Sequence, residues 1–361
     1  MRVLHVVARL NVGGTARYIT RLAEELPRHN IETFIATGFV QGSEEEDNSA
    51  NKLSVIRIPS LGRQINPIKD HFAFKQLLEI VREVQPDILH THTFKAGFIG
   101  RIKTREIHKA AGKRVKFVHT FHGHLFEDPE FSGLKSLIIT SFERRFAMRT
   151  DAIITVGAQV AKELQEREIG QPEQFTNIPP GLDPLVLPKA KPHSKVTIGW
   201  IARVTGVKNP LRALEVARLL PDAQFLIAGG GDMLEQIKKQ APKNTKVLGW
   251  TDAAKLFAAS DIIFSTSENE GMPIALIEAQ LASKPVVATN VGGVAEVVIN
   301  NKTGFVTRKN AEEIASALEK LIKSKTLRIA QGRAAKAHAT KAFSIEKMIK
   351  AHVLLYKKVT K

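Results

Sequence analysis

Short apolar runs rich in β-branched residues, VLHVV, TFIAT, SVIRI, DILHTH, VKFVHTF and AIITV, recur through the first half of this chain with helix-period segments between them. Strand and helix in alternation make βαβ units and a parallel sheet. Runs so continuously apolar require helices on both faces of that sheet. Pro179, Pro180, Gly181, Pro184, Pro188 and Pro192 then crowd too densely for a helix or a central strand. Beyond them the alternation restarts with VTIGWIA, AQFLIAG, TKVLGW, DIIFSTS and PVVATN, separated by segments such as LRALEVARLL and IALIEAQLA. The expected class is α/β, with two Rossmann-like, doubly wound parallel-sheet domains.

A length of 361 residues fits that division, since two domains of roughly 150–200 residues each are the usual way to bury a chain of this size. The boundaries read as residues 1–180 for the first domain, 181–194 for a linker, 195–342 for the second domain and 343–361 for a C-terminal helix. Ser344 is placed to cap that helix, with Leu, Val, Met and Ile supplying one apolar stripe. The acidic, aperiodic Ser43–Asn51 stretch reads as a loop.

The absence of cysteine removes disulfides, thiolate catalysis and Cys-ligated zinc. No apolar run approaches the roughly 18 residues of a spanning helix, and MRVLHVVARLN reads as a strand with no cleavage site, so the expected location is the cytoplasm. A net charge of +17 favours anionic partners. Nucleic acid is disfavoured among these, because only 6% of residues are aromatic and no zinc finger, helix-turn-helix or aromatic-interleaved basic strand is present.

Ligands of open α/β sheets bind beyond the carboxyl ends of the strands, so the residues following each apolar run carry the information. Asn11-Val12-Gly13-Gly14-Thr15 follows the first strand and opens a helix, offering backbone amides to an anion; a plain tight turn is the alternative. The full G-x-G-x-x-G spacing is missing, which argues against a dinucleotide site. Arg203 and Lys208 follow the first strand of the second domain and suit a diphosphate, the fork of Arg and the point charge of Lys stabilising a departing nucleotide. Glu270-Gly271-Met272-Pro273-Ile274 leads into a helix that carries Glu278, and the two carboxylates suit hydroxyl groups rather than phosphate. His122 and His124 stand at a strand end, near His90, His92 and His119. None has the H-E-x-x-H spacing, so no metal site is expected.

The segment SENEGMPIALIEAQLASKPVVATNVGGVAEVV closely resembles the retaining glycosyltransferases of family four, which have the GT-B fold of two domains facing a central cleft. The likeness runs the whole length, through NVGGTARYITRLA, HTHTFKAGFIGRI, HTFHGH, IPPGLD and IARVTGVKNP. HTFHGH is similar to transferases of bacterial surface polysaccharide and glycolipid assembly. The resemblance implies a nucleotide-sugar co-substrate, a uridine donor above others, with no further cofactor and no obligatory metal. It assigns the donor diphosphate to Arg203 and Lys208 with Gly13 and Gly14 across the cleft, and the transferred sugar to Glu270 and the amides of Gly271 and Met272. Pro273 and Ile274 complete that loop, Glu278 takes the ribose, Gly249 lies where the base is read, and His122 contacts the sugar near the reacting carbon. Pro180 departs from the family pattern, standing where an Asn is usual in the hinge turn.

The implied acceptor is a lipid-linked saccharide, which turns attention to Arg101, Lys103, Arg105, Lys109, Lys113, Arg114 and Lys116. Phe98, Ile99, Ile102 and Ile107 are interleaved with these cations. Residues 101–116 are expected to bind an anionic membrane surface, making the protein peripheral on the inner face of the cytoplasmic membrane. A nucleotide-sugar epimerase, a phosphorylase with a lysine-bound pyridoxal phosphate, and a non-enzymatic anion binder are the alternative readings.

Overall fold

The computed structural model describes residues 1–41, 45–47, 53–62, 64–123, 126, 133–189 and 194–361. His124, Pro192 and most of the Ser43–Asn51 stretch lie outside the described residues. The chain forms two compact units, Met1–Gly181 with Ile345–Lys361, and Leu182–Ser344.

The first unit is built on strands β1 (Arg2–Val7), β2 (Glu32–Thr37), β3 (Val55–Arg57), β4 (Ile88–His92), β5 (Lys116–Phe121), β6 (Ala152–Thr155) and β7 (Phe175–Asn177). They pair in parallel in the order β3-β2-β1-β4-β5-β6-β7, so the direction of winding reverses between β1 and β4. Register sets His5 beside His90, Val7 beside His92, and His92 beside Thr120. Because side chains alternate across a strand, these residues share one face, while Leu4, Val6, Leu89 and Phe117 take the other.

That second face is the apolar core, closed by Ala73, Phe74, Leu77, Ile80, Val81 and Val84 of the helix Pro67–Val84. The helix begins where Asn66 accepts a hydrogen bond from the Lys69 amide and Pro67 presets the first turn. It ends at Gln85, in the left-handed region. The histidine-bearing face is covered differently. Ala16, Ile19 and Ala23 of the helix Gly14–Glu25 pack on Val7 and Ile35, and the last helix, Ile345–Thr360, buries Met348, Ile349, His352, Leu355 and Tyr356. The stripe expected to be purely apolar therefore contains an imidazole and a phenol, while Leu354 is exposed.

The basic segment also departs from expectation. Arg101 is fully buried, and its Nη2 donates to both carboxylate oxygens of Glu143, at 2.9 and 2.8 Å. Its Nε donates to the Gly97 carbonyl and its guanidinium lies over the Phe146 ring. Burial lowers the guanidinium pKa and raises that of the carboxyl, and each is held back by the partner's charge. Ile99 and Ile107 belong to the core, with Phe98 and Ile102 packed against it. Lys113 and Lys116 pair with Asp87 and Asp151. Within residues 101–116, Arg101 and Ile107 thus turn inward, while Lys103, Arg105, Lys109, Lys113 and Arg114 stay exposed.

The second unit contains β8 (Thr197–Ile201), β9 (Gln224–Ala228), β10 (Thr245–Gly249), β11 (Ile262–Ser265), β12 (Val286–Thr289) and β13 (Gly304–Thr307). These are parallel in the order β10-β9-β8-β11-β12-β13, with winding reversed between β8 and β11. Trp200, Phe225, Ile227 and Phe264 pack against Leu214 of the helix Pro210–Leu219 and against Ile314, Leu318 and Leu321 of the helix Ala311–Lys323. Each such residue contributes about 1.5–3 kcal/mol by burial. Asn209 and Asn310 cap these two helices by accepting from the Arg212 and Glu313 amides. Among the described residues no helix is long and apolar enough to cross a membrane.

Candidate active site

In the second unit, the loops after β8 and β11 carry the predicted cations and carboxylate to the reversal in strand order, the position at which open α/β sheets bind their ligands. Lys208 Nζ donates to Glu270 Oε1 at 2.6 Å, and Ser267 Oγ donates to the same oxygen at 2.6 Å. Both partners of this ion pair are largely buried. Arg203, on the same loop, is exposed and makes no ion pair among the described residues. A cation held in place and a cation free to move therefore share one strand exit.

The frame around them rests on residues that sequence reasoning missed. Thr266 Oγ donates within reach of the Lys208 and Asn209 carbonyls, and it accepts from the Trp200 indole. Glu268 gathers Asn209, Arg212 and Lys309. Burial would raise its pKa, but the hydrogen bonds from Asn209 and Arg212 outweigh that and hold it below the usual carboxylate range. The loop after β12 closes on the other side: the Gly293 amide donates to the Glu270 carbonyl at 3.0 Å, and a Cβ at Gly293 would lie 2.1 Å from the Gly271 oxygen. Only glycine permits that approach.

Gly271 and Met272 lead through Pro273 into the helix Ile274–Leu281, so their amides lie at its N-terminus. Glu278 is buried inside that helix. On the far side of β8, Gly249 and Gly229 are joined by a 2.8 Å backbone bond, and Trp250 packs so tightly on Gly230 that a Cβ there would lie 2.3 Å from its Nε1. The run Gly229-Gly230-Gly231 at a strand end was the signal available for this contact. Arg203, Lys208, Gly249, Glu270, Gly271, Met272, Pro273, Ile274 and Glu278 all lie in the second unit, and Gly13, Gly14 and His122 in the first.

In the first unit, Gly13 and Gly14 open the helix Gly14–Glu25, preceded by a loop whose Val12 amide donates to the Glu45 carbonyl. Tyr18 of that helix sets its ring edge-on to His122, with centroids 5.0 Å apart. His122 Nε2 lies 3.0 Å from His92 Nδ1, and His92 Nε2 lies 3.0 Å from His5 Nδ1. His90 bonds Tyr356 and Thr120, and His119 bonds Thr91. Burial, with a smaller contribution from His352, lowers the pKa of both His5 and His122 to about 3. Burial is also the main cause that holds His90, His92 and His119 well below the ordinary value. The cluster is neutral at physiological pH.

Nitrogens of His5, His90 and His92 come within 4.8 Å of one another, close enough in principle to share a cation. Their donor set is already engaged, however: both nitrogens of His90 and both of His92 have hydrogen-bond partners. The cluster is organised as a hydrogen-bond network.

Comparison with known proteins agrees with this division. Residues 12–184 match the family model described as Glycosyltransferase Family 4, and residues 188–338 match Glycosyl transferases group 1. The UDP-Gal:alpha-D-GlcNAc-diphosphoundecaprenol alpha-1,3-galactosyltransferase of Escherichia coli is 27% identical, over 91% of this chain and 90% of its own. A D-inositol 3-phosphate glycosyltransferase of Arthrobacter is 26% identical over 91% and 86%. Among solved structures, sucrose-phosphate synthase from Thermosynechococcus elongatus superposes with a TM-score of 0.83 at 17% identity, covering 99% of both chains. Anabaena HepE in complex with UDP and glucose does so with 0.81 at 18%, covering 99% of this chain and 100% of its own.

Proposed function

This chain is a glycosyltransferase of the GT-B, family-four type, and on that footing we propose that it moves a hexose or N-acetylhexosamine from a UDP-sugar to a lipid-linked saccharide, with retention at the anomeric carbon. The observation that carries the reading is the ion pair of Lys208 with Glu270 at the strand-order reversal of the second unit, with Arg203 exposed on the same loop as Lys208. Arg203 and Lys208 take the diphosphate and stabilise the charge that develops on the leaving nucleotide, which serves in place of a divalent cation. Glu270 and the amides of Gly271 and Met272 hold the sugar hydroxyls, Glu278 takes the ribose, and Gly249 lies beside the base. Pro273 and Ile274 start the helix behind the sugar. Gly13 and Gly14 offer amides to the donor from the first unit, and His122 donates to the sugar as a neutral imidazole. No side chain of the donor loop is assigned as a nucleophile, so retention is read as front-face attack.

The base follows from two similarities: the E. coli relative is named for UDP-Gal, and the HepE structure holds UDP. The diphosphoundecaprenol in the name of that same relative supports a lipid-linked acceptor, and with it we read the work as cell-envelope polysaccharide assembly at the cytoplasmic membrane face. We place the membrane-facing surface on a neighbouring helix rather than on residues 101–116. On the helix Leu134–Ala147 and just beyond it, Leu137, Ile138, Phe142 and Met148 are exposed among Lys135, Arg144, Arg145 and Arg149. Exposed large apolar side chains with cations on the same segment suit an anionic lipid surface.

With UDP-sugar and a polyprenyl-diphosphate acceptor in anionic vesicles, proton NMR of the product is expected to show the anomer of the donor. The double variant Leu137→Glu/Ile138→Glu is expected to lower both vesicle co-sedimentation and turnover on that acceptor by about tenfold or more, since each apolar insertion is worth roughly 1.5–3 kcal/mol. Turnover on a short soluble acceptor should hold. Equal turnover of variant and wild type on the vesicle acceptor would refute the membrane surface, and an inverted product would refute retention.

A further inference from the structure

The row of imidazoles behind His122 is longer than binding a sugar requires. His5 Nδ1 meets His92 Nε2 and His92 Nδ1 meets His122 Nε2, both at 3.0 Å. A neutral imidazole has one donor nitrogen and one acceptor nitrogen, so three in a row have only two self-consistent arrangements, with every proton pointing one way or the other. In one, His5 Nδ1–H donates to His92, His92 Nδ1–H donates to His122, and His122 keeps its own proton on Nδ1. In the other every donor is reversed and His5 carries its proton on Nε2.

The far end of the row decides between them. His5 Nε2 is buried and has no hydrogen-bond partner among the described residues. A buried N–H without an acceptor is among the rarest features of folded proteins, and an unused acceptor lone pair is tolerated more readily. The first arrangement leaves only a lone pair there.

We propose that His92 and His5 are positioning residues for His122: the directional row fixes its proton on Nδ1 and so presents an N–H donor, rather than a lone pair, to the bound ligand. This rests on the reading of His122 as a sugar contact. The ring is also held sterically. Tyr18 meets its edge, His92 lies tilted at 5.2 Å between centroids, and His92 is itself backed by His90 at 4.1 Å. Among the described residues no side chain accepts from His122 Nδ1, which leaves that nitrogen for ligand. The arrangement needs neutral rings, and the burial that depresses the pKa of every member supplies this.

The test is a long-range nitrogen–proton correlation spectrum of protein labelled with nitrogen-15 histidine, His122 being assigned by its loss in His122→Gln. The expected wild-type pattern is protonated Nδ1 with bare Nε2, and the reverse pattern would overturn the proposal with no variant needed beyond the one used for assignment. His92→Gln can accept from His5 and donate to His122, so it should keep the pattern and most of the turnover. His92→Phe should give an averaged His122 signature and a kcat lower by about tenfold or more, with KM for donor little changed. Retention of the wild-type signature in His92→Phe would also overturn it. Undiminished turnover in His122→Gln would instead refute the sugar contact, independently of the tautomer.

Discussion

Lys208→Ala is expected to lower kcat by about 10²–10³-fold, the range seen when one preorganised group that stabilises developing charge is removed. Two effects act together. The departing diphosphate loses a cation that the fold holds in place through Glu270 at 2.6 Å. The Glu270 carboxylate, mostly buried and, among the described residues, now supported only by Ser267, is left facing the phosphates and repels them. Arg203 cannot compensate, because it lies exposed and unanchored on the loop. Steady-state kinetics with saturating acceptor measures this, and a loss of less than about threefold would mean that Lys208 does not touch the reacting phosphates.

Glu143→Ala is expected to destabilise the first unit by about 3–5 kcal/mol, because it leaves a guanidinium uncompensated in the interior. Among the described residues Arg101 Nη1 already lacks a partner, and Nη2 has only Glu143. The guanidinium cannot swing to water: it is fixed to the Gly97 carbonyl and lies over Phe146. Calorimetric unfolding should show a lowered transition, by about 10 °C for a unit of this size. Lys103→Glu, on the same basic segment but exposed, should change stability by no more than about 0.5 kcal/mol. Equal small effects in both would contradict the burial of Arg101.

The contrast between Arg101 and Lys103 marks the limit of what the chain discloses when read as letters. Alternation of apolar runs announced two parallel sheets, since period and length survive any detail of packing. The strand exits announced Arg203, Lys208 and Glu270, since doubly wound sheets place ligands there. Charge counting could not tell an inward arginine from an outward lysine, because the deciding partner, Glu143, arrives on a helix 42 positions further along the chain. The same holds for Lys208 and Glu270, suited to different ligand groups when read separately and joined across a separation of 62 in the fold.

The histidines were legible as a gathering but not as a row. His5 sits inside an apolar strand where a lone imidazole attracts no notice, and only the register of β1 against β4 sets it beside His90. His352 and Tyr356 come from the last helix, 334 positions from Tyr18 in one contact and 266 from His90 in another. Their helix carries a stripe that periodicity alone reads as apolar. Exposure was equally hidden: LKSLIITSFERRFA resembles any core-facing helix until Leu137 and Ile138 are found at the surface.

Calorimetric titration of the purified protein with UDP-, GDP- and ADP-sugars, run beside Glu270→Ala and Arg203→Ala, tests the donor site most directly. One UDP-sugar is expected to bind the wild type and to lose most of its affinity in both variants. Binding of no nucleotide-sugar, or binding undisturbed by either substitution, would contradict a donor site built from Arg203, Lys208 and Glu270.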